Sequence, residues 1–412
     1  MESKKENMNF HTSMYNIFFQ KDNFYYVFNT HKGNLITLDR FVYDNLKNGE
    51  LLSIPNDIFS KLLKLGFVSC EKNEFKQVLK ENIDFINNSK MFSILISPTL
   101  KCNASCSYCF EKGAKVEDMD FITADNVIKY IESNYKNNLH ITWFGGEPLL
   151  GTTIINYISL KLTERNIKYK SSIITNGFLL DEYIDNFKSW NINNIQITLD
   201  GLFEKYDSIK QLGINGFSRV ISNIELAIKQ GLKVSIRVNY DASKFAIEDL
   251  DIVDFLYDKF KNGINIYFHD IVGEEYKTPN EVDENPLIAI YEKLFDYGYV
   301  KNIKDMRIKR TYRACGMNHA NYINVSPNGN ATKCEHFVGK KSIFDIGNLN
   351  DNSLNTSRKF PIVRKECSTC VAFPICGGGC YSNHLARKQG GCFRFRDNIS
   401  QFLLLYLKKG GK

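Results

Sequence analysis

Ten of the eleven cysteines in this chain fall into two patterns whose spacing suits metal ligation. Cys102, Cys106 and Cys109 stand in KCNASCSYCF with the spacing C-x3-C-x2-C, directly after an apolar run. Seven more lie toward the carboxyl end. Cys315 is followed by Gly329 and Cys334, then by Cys367, Cys370, Cys376 and Cys380 in CSTCVAFPICGGGC, and finally by Cys392. Only Cys70 stands apart. Three cysteines on one short loop can hold three irons of a 4Fe–4S cluster and leave the fourth open. An open iron takes an outside ligand, so such a cluster is a reaction centre as well as an electron carrier. Ten thiolates are too many for one metal site. Paired C-x2-C elements also make zinc ribbons; a brown protein, rich in iron and sulfide after purification without oxygen, separates the two.

Such loops need a scaffold that brings them together. From about residue 91, strands alternate with amphipathic helices. The strand candidates are Phe92–Ser97, His140–Trp143, Ser171–Thr175, Asn194–Leu199, Lys233–Tyr240 and Ile264–His269. Helical stretches lie between them, near 122–136, 152–165, 180–189, 216–230 and 246–260. This order implies an α/β fold with a parallel sheet, either an open barrel or a doubly wound sheet, and in both the chemistry gathers at the carboxyl ends of the strands. The informative loops follow those ends: KCNASCSYCF after the first strand, FGGEP after the second, TNG after the third and DG after the fourth.

Upstream, YNIFF, FYYVF and LITL are separated by turn signals and read as three antiparallel strands. A helix capped by Asp39 through about Asn48, a second over Pro55–Leu65, and FVSC as a returning strand complete a small α+β unit. It is either a structural appendage or a module to which an extended peptide adds at a strand edge. Residues 273–290 read as a polar loop leading into a helix around 286–298. Beyond 310 the chain is rich in cysteine and turns, so its stability is expected to depend on metal. A helix over Arg396–Leu407 closes it.

The triad with Tyr108 before its last cysteine resembles the signature of radical S-adenosylmethionine (SAM) enzymes. In that family the methionine moiety of SAM chelates the open iron, and reductive cleavage gives a 5′-deoxyadenosyl radical that takes a hydrogen atom from substrate. Gly145, Gly146, Glu147 and Pro148 resemble the GGEP loop that meets the SAM ammonium, a cation suited to a carboxylate and to close backbone approach. Thr175, Asn176 and Gly177, then Asp200 and Gly201, stand where the family contacts the ribose; Arg237 resembles the arginine that pairs with the methionine carboxylate. The resemblance spans about residues 91–272.

The seven later cysteines resemble the SPASM extension of the same superfamily, element by element: C-x13-G-x4-C, then C-x2-C-x5-C-x3-C, then Cys392. The resemblance implies two auxiliary 4Fe–4S clusters, three in all. Cys367, Cys370, Cys376 and Cys392 belong to the second, and Cys315, Cys334 and Cys380 to the first. Some members carry a further cysteine just before the position of Cys315; here that stretch is KDMRIKRTYRA. One iron of the first auxiliary cluster is therefore expected to lack a cysteine, leaving it to water, a substrate thiolate, or a side chain such as His319 or His336.

SPASM enzymes mostly modify peptides and proteins, and the amino-terminal unit resembles the winged-helix element with which peptide maturases grip a leader. The expected architecture is a partial (β/α)6 TIM barrel. Its expected divisions are a winged-helix-like leader-recognition domain over 1–85, the radical SAM barrel over 91–285, a linker helix over 286–309 and a SPASM domain over 310–412. The expected activity is that of a radical SAM oxidoreductase forming a cysteine thioether in a ribosomally made precursor peptide, as sactipeptide and ranthipeptide maturases do. Rival activities are carbon–carbon or carbon–oxygen cross-linking, epimerisation and formylglycine formation. A non-catalytic, cluster-containing peptide binder is the alternative of another class. Epimerisation usually needs a spare thiol, and the unassigned Cys70 reads as a buried structural residue.

Composition bounds the partners. The 412 residues are 43% hydrophobic without a run long enough to span a membrane. MESKKENMNFHTSM has no apolar signal-peptide core, so a cytoplasmic, reducing location is expected. The net charge of +7 is scattered rather than blocked, which argues against a nucleic-acid partner and leaves room for an acidic peptide. An electron donor such as flavodoxin or ferredoxin is implied by the resemblance.

Overall fold

Along Lys233–Tyr240 every second side chain is buried, the two-residue period of a strand packed on one face. The same alternation runs through Tyr169–Thr175 and Ile264–Asp270. The computed structural model describes residues 9–273, 276–312, 315–357, 363–386, 391–392 and 394–411. The start of the segment read for export signals, residues 1–8, lies outside them, as do 313–314 of the KDMRIKRTYRA stretch.

The amino-terminal unit comes first. Strand β1 (His11–Thr12) pairs antiparallel with β5 (Val68–Ser69), and β2 (Asn16–Lys21), β3 (Phe24–Asn29) and β4 (Asn34–Leu38) form a meander. Helix α1 (Arg40–Asn48) starts on the Asp39 carboxylate, which accepts from the Val42 amide at 2.9 Å, and α2 (Asn56–Leu65) follows it. Their apolar faces enclose Val42, Leu46, Phe59, Leu62 and Phe67. Helix α3 (Glu74–Asn87) then leads into the central sheet.

Six parallel strands follow in sequence order: β6 (Phe92–Ile96), β7 (Leu139–Trp143), β8 (Tyr169–Thr175), β9 (Ile192–Thr198), β10 (Lys233–Tyr240) and β11 (Ile264–Asp270). Their connections carry α4 (Phe121–Asn134), α5 (Thr152–Glu164), the short α6 (Leu180–Tyr183), α7 (Phe203–Lys210), α8 (Gly216–Lys229) and α9 (Asp251–Phe260). Apolar side chains of the strands and helices, including Ile141, Ile173, Ile197, Ile236 and Val220, form the main core. Helix α10 (Leu287–Asp296) packs against the carboxyl-terminal α12 (Ile399–Lys408), with Tyr291 edge-on to Phe402.

The segment beyond 310 is not confined to metal-dependent loops. Strand β12 (Tyr322–Val325) pairs parallel with the outer edge of β6, from Tyr322 opposite Ser93 to Val325 opposite Ile96. Strands β13 (Asn330–Thr332) and β14 (Asp345–Asn348) extend the sheet antiparallel, so it counts nine strands among the described residues. Between β14 and α12 lies the four-residue helix α11 (Phe373–Cys376), inside the cysteine-rich stretch.

Other expectations need correction. The helix expected over 180–189 is one α-turn followed by a 3-10 turn at Ile184–Asn186. Three helices, α3, α7 and the four-residue α11, were not foreseen. Cys70, expected to be buried, is exposed, because β5 is only two residues long and the chain turns to solvent at once.

Candidate active site

The cysteine loop leaves β6 through Ser97–Leu100 and is held from both sides. Thr99 donates its hydroxyl to Asp118 at 2.6 Å and accepts from the Lys101 amide at 3.0 Å. The Ser105 amide donates to the carbonyl of Lys210 at the end of α7, at 3.0 Å. The FGGEP loop then lies directly on the chain leading to Cys102. A Cβ on Gly145 would sit 2.3 Å from the Thr99 carbonyl oxygen, and one on Gly146 would sit 2.3 Å from that of Lys101. No side chain fits there, so two glycines are the residues that allow this approach.

Cys102, Cys106 and Cys109 line one cavity of about 450 Å³ together with Gly145, Gly146, Thr175, Asn176, Tyr108 and Arg237. These come from the loops after β6, β7 and β8, and from within β10, the end of the sheet at which parallel folds place chemistry. Burial, with Glu147, Cys106 and Cys109 as negative neighbours, pushes the Cys102 thiol up to about 12; burial likewise raises Cys109. Thiols that share one cavity and repel one another's charge fit a cationic group.

Tyr108 is pinned more firmly than its place in the motif suggests. Its hydroxyl donates to Asp200 and accepts from Lys210 at 2.8 Å and from the Asn239 side-chain amide at 3.2 Å. Lys210 closes the triangle with an ion pair to Asp200 at 2.8 Å. Burial works to discharge Lys210, but Asp200, Tyr108 and Cys106 overcome it and hold the ammonium well above its usual range. Burial, reinforced by Asp200, raises the Tyr108 phenol. Lys210 and Asn239 were missed from the sequence. A lysine in KYDSIKQLG reads as a solvated helix end, and only the fold turns it inward.

Glu147 sits differently from the expectation. Its carboxylate is buried and does not line the cavity. One oxygen accepts from the Thr175 hydroxyl at 2.8 Å and the Leu149 amide at 3.1 Å, and the other from the Asn176 amide at 2.8 Å. Glu147 thus ties the second strand end to the third, leaving the backbone of Gly145 and Gly146 to face the cavity. Pro148 starts the 3-10 turn behind it. Asn176 reaches Asn103 in the cysteine loop at 2.7 Å. Asp200 is absent from the thiol-lined cavity and faces a neighbouring one of about 460 Å³, whose wall shares Tyr108 and Asn239 with the first. Arg237 donates to Asn239 at 2.8 Å and keeps its guanidinium on the first cavity.

The seven later cysteines divide into two places. Cys315, Cys334 and Cys380 line a cavity of about 410 Å³, and Cys367, Cys370, Cys376 and Cys392 line another of about 310 Å³. Burial raises Cys315 to about 11 and Cys334 to about 12; Glu335 and Cys380 add to both, and Cys315 adds to Cys334. Among the described residues no three His, Cys, Asp or Glu side chains group tightly enough to hold a single metal ion. Each cavity has room for a larger group. Glu335 and His336 line both the Cys315 cavity and the Cys102 cavity, so one short segment forms a wall common to the two. His336 also stacks on Phe110 with ring centroids 4.5 Å apart. His319 is not on the wall; it packs edge-on against Phe85.

Residues 96–242 match the model of the radical SAM superfamily. This chain contains a radical SAM domain. Over 436 aligned positions, covering 90% of both proteins, it is 25% identical to the radical SAM cyclopropyl synthase TigE of Paramaledivibacter caminithermalis. It is 27% identical over 257 residues to a probable GTP 3',8-cyclase of Methanococcus maripaludis, a match covering 61% of this chain and 82% of that one. Among solved structures, anSMEcpe with bound AdoMet and a Cp18Cys peptide aligns with a TM-score of 0.57 at 20% identity, over 77% of this chain and 97% of that one. That likeness extends to the fold: an α/β domain with a mostly parallel sheet. No helix among the described residues is long and apolar enough to cross a membrane.

Proposed function

We propose that this radical SAM enzyme is a peptide-modifying oxidoreductase that forms a cysteine thioether in a ribosomally made precursor peptide. One observation carries the reading: the ten patterned cysteines separate into cavities of three, three and four thiols, with the first three at the carboxyl ends of the parallel strands. Three 4Fe–4S clusters fit that division. When bound, the first cluster and SAM supply hydrogen-atom abstraction from a substrate carbon.

The chain's own residues prepare that chemistry. Cys102, Cys106 and Cys109 hold the first cluster on a loop fixed through Tyr108 to Asp200, Lys210 and Asn239. Gly145 and Gly146 bring backbone oxygens to the SAM ammonium, and Glu147 braces that loop against Thr175 and Asn176. Arg237 offers its guanidinium to the methionine carboxylate. Cys315, Cys334 and Cys380 would hold the first auxiliary cluster with one position left to a substrate thiolate, and Glu335 and His336 line the wall common to the two cavities. Cys367, Cys370, Cys376 and Cys392 fully ligate the second. The division into a leader-binding unit over 1–85, a barrel, a linker helix and a SPASM domain belongs to the same reading, as do a cytoplasmic location and an electron donor of the flavodoxin or ferredoxin kind. The peptide complex of anSMEcpe agrees with a peptide substrate.

A second reading is carbon–carbon bond formation, favoured by the similarity to a cyclopropyl synthase along 90% of the chain. Anaerobic coproduction with short peptides encoded beside the gene, followed by intact and tandem mass spectrometry, decides between them. A peptide two hydrogens lighter, with its cysteine protected from alkylation, supports the thioether. The same loss with a free thiol supports carbon–carbon closure.

A further inference from the structure

Two guanidinium groups converge on a single thiol of the four-cysteine site. Arg364 places Nη2 2.7 Å from Cys392 Sγ, and Arg396 places Nη1 3.1 Å from the same sulfur. Both arginines line the cavity of Cys367, Cys370, Cys376 and Cys392, together with Glu366 and Asp397, but among the described residues only the arginines donate to the sulfur of Cys392. Asp397 fixes the plane of Arg396 through two hydrogen bonds at 2.7 and 3.0 Å. Arg364 is half-buried, and its Nε has no hydrogen-bond partner among the described residues, so much of its polar capacity is directed at the thiol site.

The charged groups at the three-cysteine site are placed differently. The cation nearest in sequence, Lys333, turns its ammonium onto the carbonyls of His319, Ala320 and Tyr322 at 2.6, 3.2 and 2.7 Å. Lys333 and Glu335 flank Cys334 on that cavity wall, the ammonium engaged with backbone carbonyls and the Glu335 carboxyl pushed up by burial. Hydrogen bonds to cluster sulfurs and nearby positive charge stabilise the reduced, more negative form of an iron–sulfur group.

We infer that Arg364 and Arg396 set the direction of electron flow between the two carboxyl-terminal sites. They raise the reduction potential of the group held by Cys367, Cys370, Cys376 and Cys392 above that of the group held by Cys315, Cys334 and Cys380. One electron leaves the three-cysteine site, oxidising it, and reduces the four-cysteine site, with no proton transferred. This rests on the reading that both sites hold iron–sulfur clusters.

The test is a potentiometric titration of the anaerobically reconstituted full chain, followed by electron paramagnetic resonance, with iron and sulfide counted first. The signal lost in Cys370→Ala marks the four-cysteine site, and in the wild type it has the higher midpoint potential. Arg364→Gln and Arg396→Gln each move that midpoint to more negative values, and the double variant moves it farther. Arg396→Lys keeps the charge, guards against a loss of folding, and recovers part of the shift. Unchanged midpoints at wild-type iron content, or a higher potential at the three-cysteine site, overturn the inference. A wild-type chain whose carboxyl-terminal cysteines hold no iron overturns the cluster reading itself, and the iron count shows this before any titration.

Discussion

Lys210 and Asp200 form an ion pair at 2.8 Å with side chains only 5% and 1% exposed, and the Tyr108 hydroxyl lies between them. The lysine ends α7, the aspartate follows β9, and the tyrosine belongs to the cysteine loop. Three separate segments are thus locked where the loop must keep its shape. Removing one partner of a buried pair leaves the other charge uncompensated, which costs about 3–5 kcal/mol. Lys210→Met is expected to lose stability on that scale and to retain less iron at the first site. Lys210→Arg keeps the charge and should lose less. Denaturant titration together with iron per chain checks both.

Gly146 has a packing role that a second glycine separates from chain flexibility. Gly146→Ala pushes a methyl group into the Lys101 carbonyl, and overpacking of this kind costs about 1–3 kcal/mol. Gly213, at φ +91° with open space around its missing Cβ, is the comparison. Gly213→Ala should cost about 1 kcal/mol through backbone strain and leave the iron content unchanged. Equal iron loss in both variants would remove the special role of the FGGEP loop.

Glu147 gives a pH dependence with a definite sign. Burial pushes its carboxyl from 4.5 up to about 7, against the pull of the Asn176 amide, the Thr175 hydroxyl and the Leu149 amide. An acid whose folded pKa lies above its unfolded value adds stability below the unfolded pKa and loses it as the pH rises through the folded one. Over the window from 4.5 to about 7 the wild type should therefore lose up to about 3 kcal/mol relative to Glu147→Gln. Urea midpoints of the iron-free protein across that window measure the difference; a parallel pH course for the two proteins would contradict it.

The six parallel strands were legible because each has five or more residues rich in apolar side chains, and the first four end at loops bearing motifs. Strands β12 to β14 were not, since three or four residues cannot show a period, and β6, to which β12 joins this group, lies more than two hundred residues away. Helix α3 does carry a local signal: Asn73 caps it, and Phe75, Val78, Leu79, Asn82 and Phe85 follow at helical spacing. In the site, the cysteines and glycines were visible as spacing. The inward turn of Lys210, the sealing of Glu147 against Thr175, and the wall of Glu335 and His336 depend on contacts between distant segments, which no local pattern encodes.

Iron removal should therefore loosen the carboxyl-terminal region unevenly. Tyr322–Val325 is hydrogen-bonded to the central sheet and should keep its amide protection. The stretch from Lys365 to Cys380, with a 3-10 turn and one short helix, should exchange rapidly once its metal is gone. Hydrogen exchange read by mass spectrometry, before and after chelation, distinguishes this from uniform unfolding.

The most direct measurement follows 5′-deoxyadenosine and peptide mass together in one anaerobic reaction containing the reconstituted enzyme, SAM, a reductant and the precursor peptide. The wild type should form 5′-deoxyadenosine and a peptide two hydrogens lighter, and variants with alanine at Cys102, Cys106 or Cys109 should form neither. A peptide that binds with no 5′-deoxyadenosine and no change in mass would contradict the account and leave a cluster-containing binding protein in its place.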